Sequence, residues 1–235
     1  MKMSNRKVGF LVVLGIVWVA LLYDIFNIPS VRELKTVNPE TTAFMDHHLL
    51  TSAGPFAYEW VPLSKISPYL QRAVIAAEDD EFYEHNGFNW EAIKKAAIYD
   101  WKKKRFARGA CTITQQLARN LYLSKSKNPF RKIKEFLIAL KLERELTKDR
   151  ILELYLNVVE WGPGVYGAEA ASQKWFGKSA ADLTPREAAR LAAILPSPRR
   201  YQAASPGPYV RRRASRIQAA MGTVRNEGLA GCVLG

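Results

Sequence analysis

The sequence predicts a mostly α-helical domain behind one apolar N-terminal segment. Three observations lead to this prediction. Residues 8–28 form an apolar run near the start of a chain of 235 residues. Helix start signals, in which Ser, Thr or Asn stands before Pro or three residues before Glu or Gln, recur along the rest of the chain. Strands do not alternate with helices in the pattern, so a doubly wound sheet is not expected.

The apolar N-terminal run is long enough to cross a bilayer. No charge occurs from Val8 to Tyr23, and a helix from Val8 to Ile28 would be about 30 Å long. Three basic residues precede the run, which predicts a cytoplasmic N-terminus. A cleaved signal peptide is the alternative, but bulky side chains occupy the positions where such a peptide needs small ones. We therefore expect one transmembrane helix that is not cleaved.

The remaining segments follow from composition and helix signals. We expect a tail, the transmembrane helix, a linker, one folded domain and a second tail over residues 1–7, 8–28, 29–40, 41–228 and 229–235. Alternating aromatic residues predict a small hairpin within residues 41–62. Helices are predicted to begin at Ser67-Pro68, Asn89, Thr112, Asn128-Pro129, Thr147 and Thr184-Pro185. In the helix that follows Asn128, Ile133, Leu137 and Leu140 are expected to face inward. A last helix, with apolar positions from Val210 to Val224, is expected to end near Gly228.

The net charge of +13 favours an anionic partner. Aromatic and cationic residues alternate over residues 98–106, which suits a bilayer interface or a groove for single-stranded nucleic acid. The expected anchor favours membrane lipid, and no nucleic-acid partner is expected. Cys111 and Cys232 have no spacing that suits zinc, so no metal site is predicted and a disulfide between them is not expected.

Glu78 is the candidate proton-transfer group. It stands where a predicted buried helix face ends, and partial desolvation there would raise the pKa of its carboxyl. An ordinary solvated Glu at a helix end is the alternative, and it would be preferred for an isolated Glu. Phe82 and His85 at fixed distances shift the balance, because Phe82 can fill the core and His85 can bond the carboxylate of Asp79.

A second candidate surface is the helix that begins at Thr112. Thr112, Gln116 and Arg119 are spaced to share one face. An amide suits sugar hydroxyls and a guanidinium suits phosphate oxygens. A polar face turned to solvent gives the same pattern, so both interpretations stay open.

A third candidate is a basic helix around Glu135. Its cations are Lys127, Arg131, Lys132 and Lys134. Ordinary surface ion pairs are one interpretation. The other is a cationic patch for a leaving pyrophosphate, with Glu135 orienting the cations.

Five strings in order resemble the peptidoglycan glycosyltransferase family, the polymerising module of bacterial cell-wall synthases. They are Glu78–Gly87, Gly109–Asn120, Arg131–Glu135, Ile151–Lys178 and Leu183–Pro196. Cys111 stands where the family usually has Ser, and Arg119 where it has Lys. Arg119 keeps the charge but cannot act as a proton donor. No transpeptidase domain follows, so the chain resembles the monofunctional members.

The resemblance implies a lysozyme-like helical fold with a smaller membrane-contacting lobe around residues 90–110. It implies polymerisation of lipid II, with Glu78 and Glu135 as catalytic residues. The implied substrate-binding residues are Asp79, Phe82, His85, Thr112, Gln116, Arg119, Lys127, Arg131, Lys132 and Lys134. Lipid II, the lipid-linked growing glycan and membrane lipid are the implied partners, with other cell-wall synthases left open. No cofactor is required, and Mg²⁺ or Mn²⁺ at the substrate pyrophosphate stays open. The implied location is the inner membrane, with the catalytic domain periplasmic.

Overall fold

The computed structural model describes residues 14–16, 18, 19, 22, 23, 26–52, 54–88, 94, 111–123 and 130–224. Within these residues the chain is mostly α-helical, as predicted. No helix in this described part is long and apolar enough to span a membrane. The predicted transmembrane helix, the helix expected at Asn89, the membrane-contacting lobe, Lys127 and the tail after residue 228 lie largely or wholly outside the described residues.

Helices form most of the domain. The α-helices are α1 (Ala43–Thr51), α2 (Pro68–Glu78), α3 (Ile113–Tyr122), α4 (Phe130–Glu145), α5 (Lys148–Val158), α6 (Ala168–Phe176), α7 (Pro185–Ile194) and α8 (Pro208–Ala220). Short 3₁₀ helices span Arg32–Lys35, Leu63–Lys65 and Ala180–Asp182. The last helix ends eight residues before the predicted Gly228, and a turn from Met221 to Val224 continues its buried apolar stripe.

Side-chain caps explain where four of these helices begin. The hydroxyl oxygens of Ser67, Thr112, Thr147 and Thr184 each accept a hydrogen bond from a backbone N–H in the first turn of the helix that follows. Thr184 forms a full capping box with Glu187, whose side chain accepts from the Thr184 backbone N–H. Such caps satisfy N–H groups that have no partner inside the helix. These predicted helix starts are confirmed.

The predicted hairpin within residues 41–62 is wrong. The first part of that stretch is α1, because Thr42 caps a helix there by accepting from the Met45 backbone N–H. Among the described residues of the stretch, the strand is β1 (Ala57–Tyr58), and it pairs in parallel with β3 (Val165–Tyr166). The hairpin of the small sheet is formed instead by β2 (Glu160–Gly162) and β3, which pair antiparallel. Strands this short carry too few side chains for an alternating pattern to identify them.

Two groups of packed helices hold the core. Helix α7 packs between α2 and α8, and α3 packs against α4 and α5. Fully buried side chains from these helices include Leu70, Val74, Leu117, Ile138, Tyr155 and Leu191. The C-terminal end of α2, which carries Glu78, is thereby held near α3 and α8.

The orientation predicted for α4 is also wrong. Ile133 and Leu140 are 47% and 42% exposed, whereas Glu135 is 1% exposed and Ile138 and Leu142 are fully buried. Leu137 lines a surface groove together with Leu140. The helix carries two apolar stripes, and the one that is buried also contains Glu135. The ion pair with Lys132 compensates the charge of the Glu135 carboxylate, which allows that side chain to be buried. Helical spacing alone does not reveal that pair.

Part of the segment expected to be a linker packs on the domain. Val31 and Leu34 are buried in the core. The Arg150 guanidinium donates to the backbone oxygens of Leu34 (2.7 Å) and Val37 (3.0 Å). Lys141 donates to the oxygen of Pro29 at 3.0 Å. These contacts fix the path of residues 29–37 along α4 and α5.

Candidate active site

The Glu78 carboxylate lies at the C-terminal end of α2, where two side chains from other helices contact it. The Gln116 amide of α3 donates to Oε2 at 3.0 Å, and the Arg213 guanidinium of α8 donates to Oε1 at 3.1 Å. Arg213 also donates to the backbone oxygen of Ala77 at 3.2 Å. The Glu78 side chain is 13% exposed. Both carboxylate oxygens are therefore bonded while a fraction of the group stays accessible.

Opposing effects set the protonation of Glu78. Burial is the largest and raises the pKa of its carboxyl above the usual value. The hydrogen bond from Gln116 and the positive charges of Arg213 and Arg119 lower the same pKa and only partly offset burial. A carboxylate with a raised pKa is a stronger base than an exposed Glu, which is what proton abstraction from a sugar hydroxyl needs.

Asp79 joins the acidic string to the start of α3. Its Oδ1 lies 2.8 Å from Nε2 of His85, and its Oδ2 accepts from the Ile113 backbone N–H at 3.0 Å. The Asp79 side chain is 3% exposed. A buried carboxylate at a helix N-terminus is favoured by the helix dipole as well as by the hydrogen bond. The predicted contact between His85 and Asp79 is confirmed. The bond from the Ile113 N–H to Asp79 joins the end of α2 to the start of α3.

Thr112 and Phe82 face the protein interior. The Thr112 hydroxyl donates to the Gly87 oxygen at 2.8 Å, and the side chain is buried. Phe82 is fully buried, with the Lys148 ammonium 4.5 Å from its ring centroid. These positions support the turn after Glu78. Roles of Thr112 and Phe82 in binding substrate stay predictions.

Lys132 links α4 to the residues that precede and open α3. Its ammonium pairs with the buried carboxylate of Glu135 and lies 3.4 Å from Oε1 of Gln115 and 3.3 Å from Sγ of Cys111. Cys111 also accepts a bond through its backbone oxygen from the Gln116 amide at 3.4 Å. Cys111 therefore contacts Gln116, which bonds Glu78, through its backbone oxygen, and Lys132, which pairs with Glu135, through its sulfur.

The other predicted basic residues are distributed along α3 and α4. Arg119 is half-buried on α3, and its charge reaches Glu78. Arg131 and Lys134 are half-buried on α4, and both engage neighbouring groups. Within the described ranges, no three His, Cys, Asp or Glu side chains gather in a way that could hold a metal ion.

Two residues that contact Glu78 or its partner Gln116 were not predicted as site residues. Arg213 contacts Glu78 from 135 positions away in the chain. The Tyr155 hydroxyl, fully buried on α5, donates to Oε1 of Gln116 at 3.1 Å. A signal for Arg213 exists in the sequence, because this cation falls among the inward positions Val210, Ala214 and Ile217. Tyr155 lies in the fourth family-like string, Ile151–Lys178, but its spacing does not distinguish it from an ordinary buried aromatic residue of the core.

Comparison with known proteins defines the class. The profile of the Transglycosylase family matches residues 46–222, and the chain belongs to this family. The matched segment includes every helix of the site just described.

Individual relatives make the assignment more specific. A biosynthetic peptidoglycan transglycosylase of Aromatoleum aromaticum is 45% identical over 226 residues, covering 94% of this chain and 97% of the relative. Proteins of the same name from Alcanivorax borkumensis and an Azoarcus species are 45% and 46% identical. They cover 96% and 86% of this chain, and 90% and 89% of their own lengths.

Proposed function

We propose that this chain polymerises peptidoglycan glycan strands from lipid II, with Glu78 as the general base. Each cycle forms a β-1,4 link between N-acetylmuramic acid and N-acetylglucosamine and releases undecaprenyl pyrophosphate. Family membership and relatives named biosynthetic peptidoglycan transglycosylases support the reaction. The observation that supports the role of Glu78 is its largely buried carboxylate, bonded on one oxygen by an amide and on the other by a guanidinium.

The chemistry needs one base and no covalent intermediate. Glu78 takes the proton from the 4-hydroxyl of the acceptor N-acetylglucosamine as that oxygen attacks C1 of the donor N-acetylmuramic acid. The bond from C1 to the pyrophosphate oxygen breaks, and its electron pair leaves with undecaprenyl pyrophosphate. Direct displacement inverts C1 from α to β, as in inverting glycosidases. The base is regenerated when Glu78 loses the proton to water.

Cations assist departure of the pyrophosphate, whose charge grows in the transition state. Lys132 pairs with Glu135, and the charge of Arg119 reaches Glu78. We assign these two cations to the pyrophosphate together with Lys127, Arg131 and Lys134. Glu135 holds the Lys132 ammonium in position through their ion pair. A divalent cation at the pyrophosphate is a further proposal, and it would draw its oxygen ligands mainly from the substrate.

The substrate's lipid tail requires the domain to work at a membrane. We propose that the apolar run of residues 8–28 anchors the chain in the inner membrane, with the N-terminus cytoplasmic and the domain periplasmic. The packing of residues 29–37 against α4 and α5 would then hold the domain close to the bilayer surface. Other cell-wall synthases are candidate partners at that surface.

Incubation of the purified full-length protein with fluorescent lipid II tests the proposal. We expect a ladder of glycan strands on a gel and release of one undecaprenyl pyrophosphate per link. A lytic enzyme would instead release soluble muropeptides from isolated sacculi. A non-catalytic lipid-binding protein would leave lipid II unchanged, and either of these two results would contradict the proposed reaction.

A further inference from the structure

A line of three hydrogen-bonded side chains ends at the candidate base. The Tyr155 hydroxyl of α5 donates to Oε1 of Gln116 at 3.1 Å, and Nε2 of Gln116 donates to Oε2 of Glu78 at 3.0 Å. Tyr155 is fully buried, and Gln116 is the hydrogen-bond partner of its hydroxyl among the described residues. The line runs from the protein core to the carboxylate.

The two ends of the Gln116 amide are not interchangeable in this position. Turning the amide by 180° would bring Oε1 to the carboxylate oxygen, where lone pairs would face each other at about hydrogen-bond distance. It would also bring the NH₂ group to Tyr155 and leave a buried hydroxyl proton without an acceptor, which is costly. The observed orientation satisfies both ends. Two contacts favour it whatever the charge of Glu78: the Tyr155 proton at Oε1, and the Cys111 backbone oxygen, which accepts a longer bond from the NH₂ group at 3.4 Å.

We propose that Tyr155 is a positioning residue for glycosyl transfer: its hydroxyl fixes the Gln116 amide so that the NH₂ group always faces Glu78 and stabilises the carboxylate. This inference rests on the proposed role of Glu78 as the base. Tyr155 touches no substrate in this account and acts only through Gln116.

The charged groups near Glu78 influence the pKa values of both Glu78 and Tyr155. Arg213 of α8 and Arg119 of α3 face the carboxylate, and the Asp79 carboxylate adjoins it in the chain. Burial, followed by the charge of Glu78, raises the pKa of Tyr155 well above its usual value. The hydroxyl therefore keeps its proton throughout the working pH range and remains a donor.

The pH profile of Tyr155→Phe tests the inference. Without the hydroxyl, the amide can turn so that its Oε1 accepts the proton of a protonated Glu78. That stabilises the protonated form, so the pKa of Glu78 rises and the acid limb of kcat/KM for lipid II moves upward by about one pH unit. On that limb kcat/KM at fixed pH falls about tenfold and recovers as the pH is raised. We expect the KM to change less than about twofold, because the substrate contacts are unchanged.

Tyr166→Phe is the matched control. Tyr166 is equally buried, and its hydroxyl donates to a backbone oxygen, that of Phe44, at 3.3 Å. We expect this variant to lose thermal stability to a similar extent while its acid limb stays at the wild-type pH. The inference would be overturned if the acid limb of Tyr155→Phe lay at the same pH as that of the wild type. It would also be overturned if Tyr155→Phe and Tyr166→Phe shifted the acid limb by the same amount.

Two further measurements distinguish a positioning role of Tyr155 from a folding defect and from failure of Glu78 as the base. In a Gln116→Met background, Tyr155→Phe should cause no additional shift, because the hydroxyl acts only through the amide. Replacing Tyr155 by 3-fluorotyrosine keeps its shape and strengthens the donor, so the limb should move to lower pH. An upward or absent shift there would refute the positioning role. If Glu78→Gln were fully active, the proposed base itself would fail, whatever Tyr155 does.

Discussion

Arg213→Met isolates the contribution of one cation to the candidate base. The substitution keeps a long, flexible side chain on α8 but removes the guanidinium that donates to Glu78 at 3.1 Å. Because that cation lowers the pKa of Glu78 and burial raises it, its loss leaves burial less opposed. The pKa of Glu78 should therefore rise.

The size of the rise follows from the geometry. A hydrogen bond to a charged group contributes about 1.5–3 kcal/mol. The Arg213 and Glu78 side chains are 24% and 13% exposed, so solvent screens the pair in part. We take the lower end of that range, about 1.5–2 kcal/mol, which corresponds to roughly one to one and a half pKa units. Glu78 must be deprotonated to act as a base, so activity should be lost at a higher pH on acidification.

Initial rates of lipid II polymerisation between about pH 5 and 9 measure this shift. Arg212→Met is the control, because Arg212 is exposed on the same helix and its loss changes the net charge by the same amount. We expect the acid limb of Arg213→Met to move upward by about one pH unit, while that of Arg212→Met stays in place. Coincident limbs for the two variants would refute the assignment of Arg213 to Glu78.

Four further substitutions concern the scaffold, and the effect of each is measured by thermal or urea unfolding. Asp79→Ala removes the acceptor of the buried Ile113 N–H and should lower the free energy of unfolding by about 2–3 kcal/mol; no loss would show that the contact is not stabilising. Gly164→Ala should unfold the domain or destabilise it severely, because a Cβ there would lie 1.8 Å from the Pro55 oxygen. Gly177→Ala should lower the free energy of unfolding by only about 1–2 kcal/mol, because a Cβ there has nothing within 4 Å and the positive φ is the remaining source of strain. Equal losses for the two glycines would contradict this reasoning. Asn157→Ala removes three hydrogen bonds of a fully buried amide. It should lower the free energy of unfolding by about 2–4 kcal/mol, which is well above the effect of a typical surface substitution.

Helix starts were predictable from the sequence because their cause is local. Ser67, Thr147 and Thr184 each cap the helix that follows them, and the residues responsible lie within one turn. The inward stripe of α5, including Ile151 and Leu154, was predictable for the same reason. Periodicity within one helix is enough when a single apolar stripe is present.

Features that depend on distant partners were not predictable in this way. The buried face of α4 includes Glu135, whose burial requires the Lys132 ammonium and the start of α3 nearby. Strand β1 pairs with β3 across more than 100 residues, and two-residue strands have no periodicity. Arg213 meets Glu78 because α2 and α8 both pack on α7 and also contact each other. Tertiary packing decides each of these contacts.

The contact between His85 and Asp79 is an intermediate case. The spacing within the acidic string predicted that these two side chains could meet, and they do, at 2.8 Å. The second acceptor role of Asp79, at the Ile113 N–H, was not predicted, because it joins two strings separated by 34 positions. The candidate base was thus identifiable from the sequence, but most of its supporting contacts were not.

Glu78→Gln provides the most direct test of the central claim, that this carboxylate takes the proton of the acceptor hydroxyl. The amide is similar in shape but is not a base, and loss of a general base typically costs about 10²–10⁴-fold in rate. We predict loss of lipid II polymerisation on that scale, with binding of a non-reactive lipid II analogue changed only a few fold, while Glu84→Gln at an exposed neighbour retains full activity. Polymerisation by Glu78→Gln at the wild-type rate would contradict the account.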